Sequence, residues 1–315
     1  MADNLRGKFI WHELMTPDPK TAAAFYTKIV GWKTQPYEKN PKYTLLNYGG
    51  RGMAGILEHD GPKMWLTYIG TPNVDATARE AVQLGGTVHK PAEDIPDIGR
   101  FAIISDPQGA MFVAFTPKPM GDNPNANQKP GLGDFFWHEL ITTDWQRAWN
   151  FYQKLFGWQK TDSMEMGPGQ TYQMFGTGSG SVGGMFNKPP QMQSPPQWLP
   201  YSIVSDAKAS AKTIEAAGGK VINGPMEVPG GDWITQGLDP QGVMFAVHSR
   251  KAAAPAARPA ASQPKAATSR PKPARKTAKP AKRRAAAKPA KKAAKNRATA
   301  ARKKSPRKGT ARKRR

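Results

Sequence analysis

"WHELMTPDPKTAAAFYTKIVGW" occupies residues 11–32, and "WHELITTDWQRAWNFYQKLFGW" occupies residues 137–158. Laid over one another without a gap, the two stretches agree at 12 of 22 positions, including Trp-His-Glu-Leu at the start, Phe-Tyr in the middle and Gly-Trp at the end. The agreement continues in the same order along the chain. Tyr43 matches Tyr172, Gly55 matches Gly184, and Trp65 matches Trp198. Gly85-Gly86 matches Gly218-Gly219, and "DPQGAMF" (106–112) matches "DPQGVMF" (239–245). Similarity at a fixed order over this length is the mark of a duplicated domain. The reading divides the chain into a first domain over 1–118, a Pro-, Gly- and Asn-rich linker over 119–131, a second domain over 132–250 and a segment over 251–315.

Each copy reads as strand, helix and several strands, and then the same again. "KFIWHELMT" has strand composition. Asp18 suits an N-cap with Pro19 at the first helical position, and Ala22, Phe25, Tyr26 and Ile29 follow at helical spacing until Gly31 stops the helix. "YTLLNYGG", "GMAGILE" and "PKMWLTYIG" are short strands, and "NVDATAREAVQLGG" is a second amphipathic helix. "RFAIISDPQGAMFVAFTP" is a hairpin turning at Asp-Pro-Gln-Gly. The expected class is α+β: tandem domains, each of two paired βαβββ units whose strands form one curved, half-closed sheet around a hollow.

Charge divides the chain differently. Residues 1–250 hold 22 Lys and Arg against 23 Asp and Glu, whereas residues 251–315 hold 25 basic residues and no acid. The absence of cysteine excludes disulfides, thiolate metal sites and a cysteine nucleophile. No apolar segment follows the N-terminal Met-Ala-Asp-Asn-Leu-Arg-Gly-Lys, and no stretch reaches the roughly 18 apolar residues of a spanning helix. A soluble cytoplasmic protein is expected.

The first strand, the "FY…GW" helix, the Gly-Gly after the second helix and the "DPxGxxF" hairpin resemble the vicinal oxygen chelate superfamily. That superfamily includes glyoxalase I, extradiol dioxygenases, and fosfomycin- and bleomycin-resistance proteins. The likeness is strongest to its two-domain glyoxalase-like branch and covers about residues 8–117 and 134–248. It implies the fold; it does not choose among isomerases, oxygenases, transferases and binders built on that fold.

Metal-binding members place a histidine on the first and fifth strands and a glutamate on the last strand of a half. The resemblance puts these positions at Trp11, Leu66 and Val113, and at Trp137, Leu199 and Ala246, none of which holds a cation. His12 and His138 fall one residue late, and a one-residue slip turns a strand side chain to the other face. They are therefore expected to face the helix layer or the neighbouring domain as packing or hydrogen-bonding residues, with a ligand role as the alternative. No cofactor is expected, and a divalent metal finds no support at those positions. "HEL" also lacks the second histidine of the zinc-protease motif.

The same register turns Glu13 and Glu139 into the hollows beside Trp11 and Trp137. A carboxylate in an apolar hollow suits a general acid/base or an anchor for a hydroxyl-bearing or cationic ligand. The competing reading is an acceptor for strand-end or tyrosine hydrogen bonds. Tyr43, Tyr68, Tyr172 and Tyr201 lie on hollow-lining strands and, with Trp11 and Trp137, are the candidate ligand-binding residues; core packing is their other reading. "GTGSGSVGG" (176–184) is a glycine-rich strand connection, and Glu58-His59, replaced by Asn187-Lys188 in the second copy, is surface.

From Ala252 the composition becomes Ala, Pro, Lys and Arg, with no aromatic residue. Such a segment cannot offset its ordering entropy and is expected to be disordered. It resembles linker-histone C-terminal tails, down to "SPRK" (305–308). The candidate nucleic-acid contacts are Arg275, Lys276, Lys282, Arg283, Arg284, Lys291, Lys292, Arg302, Lys303, Lys304, Arg307, Lys308, Arg312, Lys313, Arg314 and Arg315. A polycation without base-reading elements implies non-specific, salt-sensitive binding to DNA or RNA and an association with the nucleoid.

Three functions fit these readings. The first is a metal-free small-molecule binder with a nucleic-acid-binding tail. The second is a glyoxalase- or dioxygenase-like enzyme using a non-standard site. The third is a nucleoid-associated protein whose folded body is mainly structural.

Overall fold

The computed structural model describes residues 5–118, 129–178 and 180–251. Most of the expected linker and the basic segment from residue 252, with all sixteen of its candidate contacts, lie outside the described residues. The described residues form one compact unit.

The first half comprises β1 (Phe9–Thr16), α1 (Pro19–Val30), β2 (Lys33–Pro36), β3 (Tyr43–Tyr48), β4 (Arg51–Glu58), β5 (Met64–Gly70), α2 (Val74–Gln83), β6 (Thr87–Ile95), β7 (Gly99–Ser105) and β8 (Met111–Pro117). The second half repeats this as β9 (Phe135–Thr142), α3 (Trp145–Phe156), β10 (Gln159–Glu165), β11 (Thr171–Gly176), β12 (Gly183–Asn187), β13 (Gln197–Ile203), α4 (Ala207–Ala216), β14 (Lys220–Glu227), β15 (Trp233–Leu238) and β16 (Met244–Ser249). This is the expected α+β class with two tandem sheets.

Each half makes one eight-stranded sheet, in the orders β2-β3-β4-β1-β5-β8-β7-β6 and β10-β11-β12-β9-β13-β16-β15-β14. The first strands of the two βαβββ units pair antiparallel at the centre, β1 with β5 and β9 with β13. The helices begin and end as their sequence requires. Asp18 and Asp144 accept backbone N–H bonds from Thr21 and Arg147, and Gly31 and Gly157 close the helices at φ 84° and 74°.

The helix-bearing faces of the two sheets pack against each other. One core cluster joins α1 residues Phe25, Tyr26 and Ile29 to Ala207, Ile214, Phe245 and Val247 of the second half. The other joins Ile104, Phe112 and Ala114 to Phe151, Tyr152 and Phe156. The repeated motifs meet across this boundary. Tyr26 donates to Asp239 at 3.2 Å, and Tyr152 donates to Asp106 at 3.2 Å. Trp65 and Trp198 cap those tyrosines at 3.1 and 3.0 Å. Trp32 donates to the Gly133 carbonyl and Trp158 to the Gly7 carbonyl, each at 2.9 Å. Gly219 and Gly86 leave room for the rings of Phe25 and Phe151, which a Cβ would press. The Phe-Tyr, Gly-Trp, Gly-Gly and Asp-Pro-Gln-Gly motifs thus form one interface, built twice within one chain.

His12 and His138 lie on this interface. Their Nε2 atoms are 2.9 Å apart, and both side chains are buried. Phe9 stacks on His138 with centroids 3.6 Å apart, and Phe135 lies 3.9 Å from the His12 ring. Strict alternation would put Phe9 and His12 on opposite faces. The pairing register shifts between Phe9 and Trp11, and likewise between Phe135 and Trp137, which brings each phenylalanine onto the histidine's side.

Candidate functional site

The helix-free face of each sheet carries a smaller cluster. In the first half Leu66, Tyr68, Val113 and Phe115 are buried, with Trp11, Met64, Phe101, Ile103 and Met111 packed partly buried around them. In the second, Ile141, Leu199, Tyr201 and Ala246 are buried beneath Trp137, Phe186, Met192, Ile234 and Met244. Alternation along β1 and β9 turns Trp11 and Glu13, and Trp137 and Glu139, onto this face, while Leu14 and Leu140 face the helices.

Each hollow is centred on one carboxylate. Glu13 and Glu139 are each 7% exposed. Tyr68 donates to Glu13 at 3.1 Å, and the Tyr43 hydroxyl lies close enough to act on its charge. Trp11 in turn donates its indole N–H to the Tyr43 hydroxyl at 3.0 Å. The second hollow repeats this: Tyr172 and Tyr201 each donate to Glu139 at 3.1 Å, and Trp137 donates to Tyr172 at 2.8 Å. The eight residues singled out from sequence are therefore gathered into two sets of four.

A missing side chain makes the arrangement possible. Gly55 pairs with Glu13 on the adjacent strand, and Gly184 pairs with Glu139. A Cβ at either glycine would overlap the ring of Tyr43 or Tyr172. The bare backbone lets each tyrosine lie flat across β4 or β12 and reach the carboxylate beyond it. The sequence signal was the matched Tyr and Gly of the two copies; their contact was not legible in it.

Burial sets the electrostatics. Desolvation raises both carboxyls, Glu139 to about 7, against the opposing pull of its hydroxyl and amide donors. Burial and the neighbouring carboxylate push Tyr68, Tyr172 and Tyr201 well up, so these phenols stay protonated donors. Away from the hollows, burial holds His138 down to about 3 and, with His138 beside it, lowers His12 as well.

Sequence reading missed the residues that differ between the halves. Gln236 donates to Glu139 at 3.1 Å and also bonds the Tyr201 hydroxyl, while Asn223 donates to Gln236 at 3.0 Å. The positions in the same register of the first half are Ile103 and Lys90. His248, buried and 2.9 Å from Asp232, has Phe115 as its counterpart. A search for coincidences between copies passes over such residues.

The hollows do not fit a divalent cation. Each contributes a single carboxylate, and among the described residues no second carboxylate or imidazole stands beside it to complete a ligand set. Leu66, Val113, Leu199 and Ala246 add no ligand atom, and Trp11 and Trp137 bring N–H donors. Among the described residues no three His, Asp or Glu side chains gather as a metal-holding group. Surface clefts of about 340 Å³ by Lys28, Tyr48 and Val204 and about 480 Å³ by Asp75, Arg79 and Val88 share no residue with either hollow.

Comparison with known proteins places this geometry. Residues 135–247 match the model of the glyoxalase/bleomycin resistance protein/dioxygenase superfamily, and residues 11–115 match that of a glyoxalase-like domain. The chain is 34% identical over 255 residues to the putative glyoxylase CFP32 of Mycobacterium tuberculosis, covering 75% of this chain and 92% of that one. It is 28% identical over 272 residues to the anthracycline biosynthesis protein DnrV of Streptomyces peucetius, covering 80% and 96%. The Mn(II)-bound glyoxalase of Novosphingobium aromaticivorans shares the fold at a TM-score of 0.54 and 15% identity, over 78% of this chain and 82% of that one. Among the described residues no helix is long and apolar enough to cross a membrane. The chain belongs to the glyoxalase/bleomycin resistance protein/dioxygenase superfamily and carries two of its domains in tandem.

Proposed function

We propose that the chain binds a small, largely apolar molecule bearing hydroxyl or keto oxygens, held on the helix-free face against a buried glutamate. One observation carries this reading: in both halves a single desolvated carboxylate accepts a tyrosine hydroxyl and has beside it a tyrosine that takes the indole N–H of a tryptophan left half-buried in an apolar cluster. Such a site offers aromatic and thioether surface for stacking and one strong acceptor for orientation. The name of the DnrV relative points toward polycyclic aromatic ligands. The test is thermal unfolding of the whole chain with hydroxylated polycyclic aromatics and, separately, with divalent cations. A rise in midpoint with the aromatics, lost in a Glu13→Gln/Glu139→Gln variant, supports the reading. A rise with a cation alone overturns it.

A catalytic reading rests on Glu139. A carboxyl raised to about 7 exchanges its proton near neutrality, as a general base must. Turnover of a bound ketone or phenol, abolished by Glu139→Gln with binding retained, distinguishes enzyme from binder.

The basic segment, residues 251–315, supports a second activity: non-specific attachment to nucleic acid, which would place the protein at the nucleoid. Its support is compositional, 25 positive charges without an acid. Removing these residues should abolish binding to duplex DNA of any sequence, and in the whole chain that binding should fall steeply with added salt.

A further inference from the structure

The two hollows share their Trp-Glu-Tyr-Tyr centre and differ around it. In the second hollow Glu139 takes a third donor, the Gln236 amide, which also bonds Tyr201 and is itself held by Asn223. Its carboxylate is satisfied by the protein's own groups. In the first hollow Glu13 takes the Tyr68 hydroxyl, with the Tyr43 hydroxyl near it, and Ile103 stands where the amide would be. An isoleucine donates nothing, so the third acceptor position of Glu13 is left for a ligand.

The charge at the rim differs too. Lys90 pairs across β6 and β7 with Ile103, and its ammonium lies 4.8 Å from the centroid of Phe101, a member of the first cluster. Its field reaches Glu13. Among the described residues Lys90 forms an ion pair with Glu93, three residues away at 3.0 Å, and the two side chains are 43% and 58% exposed. An exposed pair of this kind contributes little and is readily exchanged for another anion. The second hollow has a neutral asparagine at this place.

We propose that the first hollow is the ligand-taking one, and that its ligand is a hydroxylated aromatic carboxylic acid. Its hydroxyl donates to Glu13, its ring lies among Trp11, Phe101 and Met111, and its carboxylate meets Lys90. The second hollow is the self-satisfied copy, in which Gln236 does for Glu139 what the ligand hydroxyl does for Glu13. This rests on the small-molecule reading above and adds the choice of hollow and the class of ligand.

The test uses the whole chain in enough salt to screen the basic segment. The probes are a hydroxynaphthoic acid, the naphthoic acid without the hydroxyl and the naphthol without the carboxylate, titrated by calorimetry. The acid bearing both groups is expected to bind at one site per chain. Loss of either group should weaken it about tenfold or more, the factor one charge-assisted hydrogen bond supplies. Lys90→Met, at a half-exposed position, should erase the preference for the carboxylate, and Ile103→Gln should erase the preference for the hydroxyl. Gln236→Ile with Asn223→Lys should create a second site.

If Lys90→Met and Ile103→Gln bind the hydroxy acid like the parent while Glu139→Gln abolishes binding, the choice of hollow is wrong and the small-molecule reading stands. If variants in neither hollow change binding of a probe that does bind, both fail. If no probe binds while another polycyclic aromatic raises the unfolding midpoint through Glu13, the ligand class is wrong and the site is right.

Discussion

The Nε2 atoms of His12 and His138 stand 2.9 Å apart in the interior, where the two copies of one strand meet. At that distance one ring donates the proton that the other accepts, so both imidazoles are neutral and of opposite tautomer. A proton added to the accepting Nε2 would put two donors face to face between Phe9 and Phe135.

That relationship has a sign in pH. Both histidines are held below the ordinary value of 6.5, His138 at about 3, chiefly by burial. Between these values the unfolded chain takes up protons that the folded chain refuses. Stability from this pair is therefore present above 6.5 and lost as pH falls below it, for His138 by about 1.4 kcal/mol per pH unit down to about 3. A His12→Gln/His138→Gln variant should lose less stability than the parent on going from neutral pH to about pH 4.5, measured by denaturant unfolding. Equal losses in the two proteins would refute the buried neutral pair.

Glu139 runs the other way. Its carboxyl is raised to about 7 from 4.5, so the folded chain binds a proton more readily than the unfolded one. Stability from this group is present at acid pH and lost as pH rises through about 7. Glu139→Gln should stabilise the chain above neutrality, by on the order of 1–3 kcal/mol after the loss of an acceptor oxygen, and give no gain near pH 4. A variant less stable than the parent at every pH would show that the carboxylate's donors outweigh its burial.

Gly55→Ala tests how the first site is assembled. The new Cβ would overlap the Tyr43 ring, which must swing away from Glu13 and Trp11. The expected cost is about 2–4 kcal/mol of stability, from overpacking and lost hydrogen bonds. Tyr43→Ala removes the obstruction, so the double variant should be far less damaged than the sum of the singles. Additive costs would mean that the glycine serves some other contact.

The fold was legible because it is written twice: caps, turns and strand alternation recur at the same places, and coincidence filters out accident. The identity of the site's inner residues was legible for the same reason, since Trp11, Glu13, Tyr43 and Tyr68 each have a partner in the second copy. Two kinds of information were not. Repetition does not say which copy a motif touches, so Tyr26 reaching Asp239 rather than its own Asp106 needed three-dimensional packing. Residues that distinguish the copies, Gln236 against Ile103 and Asn223 against Lys90, carry no mark when likeness is the criterion.

The crossed tyrosines offer the clearest test of the interface. Tyr26→Phe keeps the ring packed against Phe245 and removes only the hydroxyl. It leaves the buried Trp65 N–H without its acceptor and takes one donor from Asp239, which retains the backbone N–H groups of Gln241 and Val243. Tyr152→Phe does the same to Trp198 and Asp106. Each should cost about 1–3 kcal/mol, the penalty for orphaning a buried donor. The two sites lie in separate core clusters, so the costs should add within about 0.5 kcal/mol in a chain that unfolds as one unit. Two resolved transitions in the double variant, with one half melting first, would instead show that these bonds are what couples the halves.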